Sequence, residues 1–257
     1  MNALDHAVVM NENYAAGVMN QGLSRARMKV ERLPFSVRIA RSEADLHKAI
    51  AIRQAAFARH VPELGEKLKA PEADDLADGS VVLLAESRLD GSPLGTMRIQ
   101  TNRFKPLVIE QAVELPARLR GRSMAQATRL GNDGSRMGPL VKTALFKAFY
   151  LYCIEAGFDW MVISARPPLD RAYMALLFED LYPGRLITMR HSNNMAHRVM
   201  AFDVLAAEQT WRKAGHKLYD FMVNTHHPDL DVTDSDHLPT RAHLHAMAIP
   251  GNEAVAA

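Results

Sequence analysis

The stretch Gln126–Gly157, QATRLGNDGSRMGPLVKTALFKAFYLYCIEAG, decides the fold. It predicts a short strand, a glycine-bearing turn, and a long and nearly all-apolar helix that ends at Gly157. A strand that enters a helix through such a turn directs backbone N–H groups and the positive end of the helix dipole towards a ligand. We therefore expect the active site in this stretch.

The composition is that of a globular protein. The chain has 257 residues, of which 48% are hydrophobic and 23% are charged, and its formal net charge is +2. This near-zero charge and the lack of a groove-reading motif argue against a nucleic-acid partner. A single cysteine, Cys153, excludes a disulfide framework and fits a reducing compartment. No apolar run approaches the ~20 residues of a membrane span, and no signal peptide begins the chain, so we expect a cytoplasmic protein without an integral membrane span.

The periodicity of the sequence divides the chain into three parts. Residues 1–34 show weak periodicity and are predicted to be an N-terminal arm, residues 35–225 a domain with a tail helix, and residues 226–257 a polar C-terminal tail. The tail is rich in histidine and aspartate, but its spacing matches no zinc or calcium pattern, so no metal site is predicted.

A strand and a helix are predicted before the central stretch. Residues 37–40 predict a strand, after which Ser42 begins a helix, with Asp45 in capping-box position. Arg53 and Phe57 fall on the apolar face of this helix. A guanidinium on that face needs a carboxylate or a ligand, because an unpaired buried charge is costly.

A long polar loop at residues 62–80 follows, and loops of this length are often functional. Its end carries four acids: Glu72, Asp74, Asp75 and Asp78. These are either solvated surface residues, or partners for Arg53 or for a cationic substrate. Residues 80–100 then predict a hairpin whose second strand presents Arg98 to a cleft or to solvent.

The elements after Gly157 complete the fold class. Residues 158–165 form an apolar run of strand length, typical of a strand that is covered on both faces. A second helix up to Pro183, two strands, and a tail helix from Glu208 to about Asn224 are predicted next. An antiparallel front half and a strand–helix–strand core indicate an α/β fold: one mixed sheet between two helical layers.

This element order resembles the acyltransferase fold of the GNAT superfamily. Within it, the chain is similar to the acyl-homoserine-lactone (autoinducer) synthases and to the FeeM-type N-acyl amino acid synthases. Both branches transfer a fatty acyl group from acyl carrier protein to the nitrogen of an amino acid. The resemblance covers about residues 37–205. Four motifs carry it: Arg-x-x-x-Phe (Arg53, Phe57), Glu-x-Asp (Glu72, Asp74), a hairpin arginine (Arg98), and Glu-x-x-Arg, matched by Gln126 and Arg129.

Three departures from these families stand out. Gln126 replaces the glutamate of autoinducer synthases, and an amide cannot act as a base. Phe178 occupies the place where many acetyl-CoA-using relatives keep a tyrosine as general acid. The turn NDGSRMG lacks the full pyrophosphate loop of the CoA enzymes, which favours acyl carrier protein over acyl-CoA as the donor.

The resemblance implies the catalytic set Gln126, Arg129 and Asn132, with backbone N–H groups near Leu130–Asn132 as donors to the oxyanion. It also implies that the thioester lies where the strand at 126–131 diverges from the strand at 159–165. Gln126 and Arg129 would lie on opposite faces of a regular strand, so a β-bulge between them is predicted. Asp133 is a candidate base that acts through water.

The acceptor would be bound by arginines and acids. Arg53, Arg98 and Arg129 are expected to hold its carboxylate or to anchor the loop, with Phe57 beside them. Glu72 and Asp74 would meet its ammonium group or hold the arginines. A purely structural network of arginines and acids is the alternative.

Two further groups follow from the same reasoning. The acyl chain needs an apolar tunnel. Packing in the core would explain the apolar candidates for its lining equally well; they are Phe146, Phe149, Met161, Ile163 and Phe178. Carrier-protein docking needs a basic patch because acyl carrier proteins are acidic; its candidates are Arg122, Arg136, Lys142 and Lys147. The two lysines are almost the only charges on the long helix and are predicted to mark its exposed edge.

The sequence thus predicts an N-acyltransferase without a permanently bound cofactor. It would move a long-chain fatty acyl group from acyl carrier protein to the amino group of an amino acid. One alternative is an acyl-homoserine-lactone synthase. The other is a non-catalytic binding or sensor module of the same fold, which the changes at Gln126 and Phe178 favour.

Overall fold

The structure, a computed structural model, describes residues 28–233. The strands are β1 (Lys29–Val30), β2 (Phe35–Ile39), β3 (Ser80–Ser87), β4 (Pro93–Thr101), β5 (Met124–Asn132), β6 (Trp160–Ala165), β7 (Glu179–Asp180), β8 (Ile187–Met189), β9 (Met195–Asp203), β10 (Thr225–His226) and β11 (Leu230–Asp231). The α-helices are α1 (Glu43–Ala58), α2 (Pro62–Lys67), α3 (Val108–Ala112), α4 (Gly138–Ala156), α5 (Asp170–Met174) and α6 (Ala207–Lys213).

One mixed sheet organises the described part of the chain. Its path is β11-β2-β3-β4-β5-β6-β9-β7, and β8 pairs with β9 beside this path. The strands β2, β3, β4 and β5 pair antiparallel with one another, whereas β5 and β6, which precede and follow α4 in the chain, run parallel, as do β11 and β2. This arrangement confirms the predicted mixed sheet with a strand–helix–strand core.

The predicted start of the first helix and the predicted end of the longest helix are both confirmed. Ser42 begins α1 with a capping box in which its side chain accepts from the backbone N–H of Asp45, and the Asp45 carboxylate accepts in return. Gly157 ends α4 in the left-handed conformation (φ 71°), which glycine adopts without a steric penalty. No helix in the described part of the chain is long and apolar enough to cross a membrane.

Helices cover the sheet on both faces. On one face α4 packs over the main core, and Gly95 allows the close approach, because a Cβ there would lie 2.6 Å from Cγ1 of Val141. On the other face α1 packs over β3–β5, and a Cβ on Gly131 would lie 2.9 Å from that of Ala56. The two helices therefore press the β4–β5 pair from both sides, which gives the predicted three layers.

Two predicted helices are shorter than expected. The second helix was expected up to Pro183, but α5 ends at Met174 and the chain turns through Leu177 (φ 70°) into β7. The tail helix was expected from Glu208 to about Asn224, but α6 ends at Lys213 because Gly215 adopts a left-handed conformation (φ 56°). A separate π-helical turn, Asp220–Asn224, follows.

Paired segments lie on both sides of the predicted domain 35–225. In the arm, β1 pairs with β10, and in the tail, β11 pairs with β2 at the edge of the main sheet. The rest of the predicted arm (1–27) and tail (234–257) lies outside the described residues. The division into arm, domain and tail stays a prediction.

Candidate active site

The buried guanidinium of Arg53 is paired with a carboxylate. Arg53 projects from α1 and donates to both oxygens of Asp75, with Nη1–Oδ2 and Nη2–Oδ1 distances of 2.8 Å. Both side chains are fully buried, at 0% exposure. The sequence therefore predicted correctly that Arg53 needs a carboxylate. The hydrogen-bonded partner is Asp75, and the motif acid Glu72 lies at ion-pair distance, with Oε2 3.6 Å from Nη1 of Arg53.

Glu72 joins the two remaining arginines of the motif set. Its carboxylate accepts from Nε (2.7 Å) and Nη2 (2.6 Å) of Arg129, and from Nη1 of Arg98 (3.0 Å). Arg98 also donates to Asp75 (3.2 Å), while Asp74 accepts from Lys105 (2.6 Å). Arg53, Arg98, Arg129, Glu72, Asp74 and Asp75, here called the arginine–acid network, thus tie the loop before β3 to the sheet.

The electrostatics of this network follow from burial and pairing. Burial raises the pKa of Glu72, but the hydrogen bonds from Arg129 and the charges of Arg98 and Arg53 outweigh this effect and lower it. Burial likewise opposes the lowered pKa of Asp75, which the pairing with Arg53 produces. All three arginines have carboxylate partners, which favours the structural alternative; a role in binding the acceptor stays a prediction.

A β-bulge lies at Arg129. Arg98 is opposite Thr128 and Thr96 is opposite Gly131, so Arg129 and Leu130 together face one residue of β4. Arg129 has φ 54°, an uncommon conformation for a residue with a side chain. The extra residue turns Arg129 towards Glu72, on the face of Arg98. A bulge was predicted between Gln126 and Arg129. The observed bulge lies one step later, at Arg129 and Leu130, and the pairing of β5 with β4 is regular from Ala125 to Thr128.

The strands β5 and β6 diverge as predicted. Their pairing ends at Ala127 and Ile163, and beyond this point a cavity of about 210 Å³ opens between them. Thr128 and Ser164 line it on the α1 face of the sheet, and Ala127 and Ala165 line it on the α4 face. The cavity therefore lies in the gap between the two strands and has walls on both sides of the sheet.

The walls combine apolar and basic side chains. The main apolar lining residues are Ala56, Phe57, Leu64, Phe146, Leu169, Ala172 and Tyr173. The basic ones include Arg59, Lys142 and Arg166, here called the rim cations. Among the described residues, no aspartate or glutamate lines the cavity, and no rim cation has a carboxylate partner. Arg59 instead donates to the backbone carbonyls of Asn132 and Asp133.

The three residues assigned to catalysis have different positions. Arg129 and Asn132 line the cavity, and the Asn132 side chain accepts from the N–H of Gly134 (3.0 Å). Gln126 does not line it: its side chain is fully buried in the sheet, and both amide atoms lack a hydrogen-bond partner among the described residues. Asp133 also lies outside the lining. Neither residue is therefore placed to act as a base.

The five residues predicted to line an acyl tunnel differ in their access to the cavity. Of its five residues only Phe146 lines the cavity. The other four pack inside the main core, where Phe178, for example, stacks on Phe202 with ring centroids 5.3 Å apart. Alternation in β6 places Met161 and Ile163 on the core face below the opening, so they do not reach the cavity.

The predicted docking patch is partly wrong. Lys147 is buried and not on an exposed edge: its ammonium group donates to the carbonyls of Phe221 (2.6 Å) and Thr225 and contacts Nδ1 of His227 (2.9 Å). The C-terminal segment covers this side of α4, and burial lowers the pKa of Lys147 to about 8. Arg136 is exposed, Lys142 lines the cavity, and Arg122 pairs with Asp159 (3.3 Å).

Two titratable side chains in the cavity were missed. Tyr173 contacts Phe146 edge to face (5.0 Å between centroids), and burial raises its pKa. His197 is 6% exposed, and its Nδ1 lies 2.9 Å from the carbonyl oxygen of Met195. Burial lowers the pKa of His197, and the nearby charge of Arg166 lowers it further. Both residues sit in segments that the sequence suggested only as a helix and a strand, so no motif pointed to them.

The described residues contain no cluster of three or more His, Cys, Asp or Glu side chains that could hold a metal ion. No protein-family model and no curated protein sequence matches the chain. Solved structures do match.

The structural similarity is to acyltransferases. FeeM, an N-acyl amino acid synthase from uncultured soil microbes, aligns with a TM-score of 0.55 and 20% identity, covering 73% of this chain and 97% of its own. The CoA-dependent acyl-homoserine lactone synthase BjaI, solved with SAM and isopentyl-CoA, aligns at 0.50 and 14%, covering 82% and 99%. A GNAT-family acetyltransferase from Staphylococcus aureus aligns at 0.45 and 12%, covering 66% and 99%. The alignments with FeeM and BjaI thus show that the described part of the chain has the GNAT fold.

Proposed function

We propose that this protein is an N-acyltransferase that moves a fatty acyl group from acyl carrier protein to the amino group of an amino acid. The observation that carries the proposal is the cavity between β5 and β6, with apolar walls, rim cations and no lining carboxylate among the described residues. Such a lining suits a ligand that is both apolar and anionic. An acyl thioester with its phosphate-bearing arm and an amino acid with its carboxylate both fit this description.

The two substrates are proposed to meet in the gap between the strands. The thioester carbonyl lies near the unpaired edge of β5, where backbone N–H groups around Leu130–Asn132 stabilise the oxyanion of the tetrahedral intermediate. The acyl chain packs against the apolar wall that includes Phe146 and Tyr173. The amine attacks the carbonyl carbon, and the thiol leaves.

The rim cations divide between the two substrates. Arg59 and Lys142 flank the turn before α4, beside the N-terminus of that helix, and are proposed to receive the single phosphate of the carrier arm. Arg166 follows β6 on the far side of the gap and is proposed to bind the acceptor carboxylate. The incomplete pyrophosphate loop in this turn supports acyl carrier protein over acyl-CoA as donor.

Product analysis tests the proposal. The purified protein is incubated with acyl carrier proteins of several chain lengths, or with the matching acyl-CoAs, and an equimolar mixture of the amino acids. Mass spectrometry of the lipid extract is expected to show an N-acyl amino acid, formed faster with the carrier protein. The absence of any acylated product with every donor and acceptor would overturn the proposal.

A matched pair of variants ties the product to the cavity. Ala172 lines the cavity from α5, whereas Ala175 lies one turn on and is exposed. Ala172→Trp is expected to block the cavity and abolish product, and Ala175→Trp is expected to keep it. Equal activity in both variants would place the reaction elsewhere.

An acyl-homoserine lactone synthase is the second candidate. The fold-level similarity to BjaI covers more of the chain than the similarity to FeeM, at 82% against 73%. Adding SAM to the same incubations separates the two, because an acyl lactone would appear only with that co-substrate. The replacement of the expected glutamate by Gln126 favours the amino acid synthase.

A further inference from the structure

We propose that the cavity lining itself deprotonates the acceptor: Arg166 binds the acceptor carboxylate, and the surrounding positive charge drives one proton from the acceptor ammonium into solvent. This inference rests on the proposed function and explains how the amine becomes a nucleophile. An ammonium group has no lone pair and cannot attack a thioester, so its proton must leave before acyl transfer. In this mechanism no side chain has to serve as the base.

Arg166 is the rim cation that is best placed to receive the acceptor carboxylate. Its side chain is half-buried, and within the described part of the chain its guanidinium makes one hydrogen-bond contact, from Nη1 to the thioether Sδ of Met195 at 3.7 Å. A thioether is a weak acceptor. A half-buried guanidinium is better paired with a carboxylate, which it can bind through two parallel hydrogen bonds. The acceptor would supply this partner.

Pairing of the carboxylate weakens the hold of the acceptor on its own proton. In a free amino acid the carboxylate attracts the ammonium group, which raises the pKa of the amine. An α-amino group without such a carboxylate has a pKa of about 7.7–8.0. Because Arg166 offsets the negative charge, the pKa of the bound amine is expected to fall to this value or below it.

The rest of the lining acts in the same direction. Arg59 and Lys142 add two positive charges, and none of the lining residues that the structure describes is an aspartate or a glutamate. The phosphate of the carrier arm and the acceptor carboxylate would offset two of the three positive charges of the rim cations, so the cavity stays positive. A like charge within about 4–6 Å disfavours the ammonium form, and so does contact with the apolar walls.

The acids near the cavity do not oppose this effect, because each is held elsewhere. Glu72 binds arginines of the arginine–acid network. Asp170 is buried and accepts from Nε of Arg198 at 2.9 Å. Asp133 accepts from the backbone N–H of Ser135 at 3.0 Å. None of these three carboxylates lines the cavity, so none is placed to stabilise an ammonium group there.

His197 already shows the same electrostatic effect on a group of the protein. Burial lowers the pKa of this lining histidine, and the positive charge of Arg166 lowers it further, although the contact with the carbonyl oxygen of Met195 opposes both. An acceptor amine held beside Arg166 would experience the same two effects. The other titratable or charged lining groups that would face the amine are His60, Arg129 and Tyr173.

The proposed steps balance without a co-reactant. The acceptor ammonium releases one proton to solvent when its carboxylate binds Arg166. The neutral nitrogen then forms a bond to the thioester carbonyl carbon, and the C–S bond breaks as the tetrahedral intermediate collapses. A second proton passes from the nitrogen to the leaving thiolate, directly or through water. The products are an amide and a thiol.

Calorimetry of the wild-type protein tests the first step without catalysis. The amino acid that the product analysis identifies is titrated at about pH 8, without an acyl donor, in two buffers of different ionisation enthalpy. We expect release of about half a proton or more per bound molecule, because an amine with a pKa at or below about 8 is at least half deprotonated there. The 2-hydroxy analogue keeps the carboxylate but lacks the amine, so the difference between the two ligands isolates the amine proton.

The pH dependence of turnover tests the role of Arg166. The acid limb of kcat reports groups in the enzyme–substrate complex, whereas that of kcat/KM reports the free species. In Arg166→Gln the acid limb of kcat should move to higher pH by about one pH unit or more, while the limb of kcat/KM that belongs to the free amine should stay in place. Arg171→Gln, at an exposed position on α5, is the control and should leave both limbs unchanged.

Each outcome supports or overturns the inference. Equal proton release by the amino acid and its 2-hydroxy analogue overturns it, and the proposed function stands as long as product forms. Proton release with an unmoved kcat limb in Arg166→Gln overturns the assignment to Arg166. A wild type that forms no acylated product overturns the proposed function and the inference together. If Arg166→Gln fails to fold, the calorimetry decides alone: release specific to the amino acid supports deprotonation by the cavity, and its absence overturns it.

Discussion

Two groups of cations differ in whether they have a carboxylate partner. The arginines of the arginine–acid network each have a carboxylate within 3.0 Å, whereas the rim cations have no carboxylate partner among the described residues. The first group is buried under a loop, although Arg129 also reaches the cavity wall, and the second group lines the cavity. Burial of a charge requires a partner in the protein, so a lining charge without one is available to a substrate.

This difference bears on the prediction that the motif arginines bind the acceptor. Arg53, Arg98 and Arg129 match positions that resemble substrate-binding arginines, yet their guanidinium groups already bind Asp75 and Glu72. The network also holds Arg129 in its left-handed conformation, next to the gap. We expect this network to fix the shape of the strand on which the proposed reaction takes place, and a role of its arginines in binding the acceptor stays a prediction.

The largest expected effect comes from removing the buried partner of the network. Asp75→Asn leaves Arg53 and Arg98 buried without that carboxylate, and we expect the free energy of unfolding to fall by about 3–5 kcal/mol. Asp78→Asn is the matched control, because Asp78 lies in the same loop but is exposed. Urea denaturation of the two variants measures the difference. An equal, small effect in both would mean that the network contributes little to stability.

A fall in pH removes the same partners without a mutation. The pKa of Glu72 and that of Asp75 are lowered in the folded protein, so these groups stabilise the fold above their unfolded pKa values of about 4. This stability is lost as the pH falls below 4 and through the lower folded values, because protonation removes the charge that each arginine binds. Wild type should therefore lose more stability between about pH 5 and pH 2, roughly one unit above and two units below these unfolded values, than Asp75→Asn does. Urea denaturation at a series of pH values measures this difference, and parallel losses in the two proteins would contradict it.

The sequence predicted that a buried cation needs a partner, but it did not predict which residue the partner is. The spacing of Arg53 on the apolar face of α1 is a local pattern, so its requirement for an acid could be predicted. The choice of Asp75 depends on the short 3₁₀ turn Ala73–Asp75, which no pattern indicated. Lys147 shows the same limit, because its partners at Phe221 and Thr225 are 74 and 78 residues away in the chain.

The cavity itself was only partly predictable. Its position between β5 and β6 followed from the strand–helix–strand order, and Arg129 and Asn132 from the stretch that forms one edge of it. Its remaining lining comes from α1, α2, α5 and β9, elements that are far apart in sequence. His197 and Arg166 became visible only through the register of β6 and β9.

Among the rim cations, Arg166 has the clearest expected effect on substrate binding. Arg166→Gln should raise the KM for the amino acid acceptor by about 10- to 100-fold, since a hydrogen bond to a charged group contributes about 1.5–3 kcal/mol. It should leave the free energy of unfolding within about 0.5 kcal/mol of wild type, because no carboxylate loses its partner. Arg171→Gln, an exposed position on α5, is the control. An acceptor with an amidated carboxylate should show no difference between Arg166→Gln and wild type; a comparable rise in its KM would show that Arg166 does not bind the carboxylate.

The smallest effect should come from Arg136, a charge that does not line the cavity. Arg136 is exposed in the turn before α4, where an acidic carrier protein would dock, and exposed charges mainly change association rates. Arg136→Glu, alone or with Lys142→Glu, should raise the KM for acyl carrier protein several-fold, as expected for an exposed charge at the edge of a protein interface. The unfolding midpoint should not change. Arg185→Glu makes the same charge change on an exposed loop away from the turn and should have no effect. The effect of Arg136→Glu should weaken as salt rises above about 0.1 M, because the Debye length falls below about 10 Å, whereas the effect of Arg166→Gln inside the cavity should persist. If both effects respond equally to salt, the rim cations act only through long-range attraction, and the distinction between a docking charge and a binding charge does not hold for this protein.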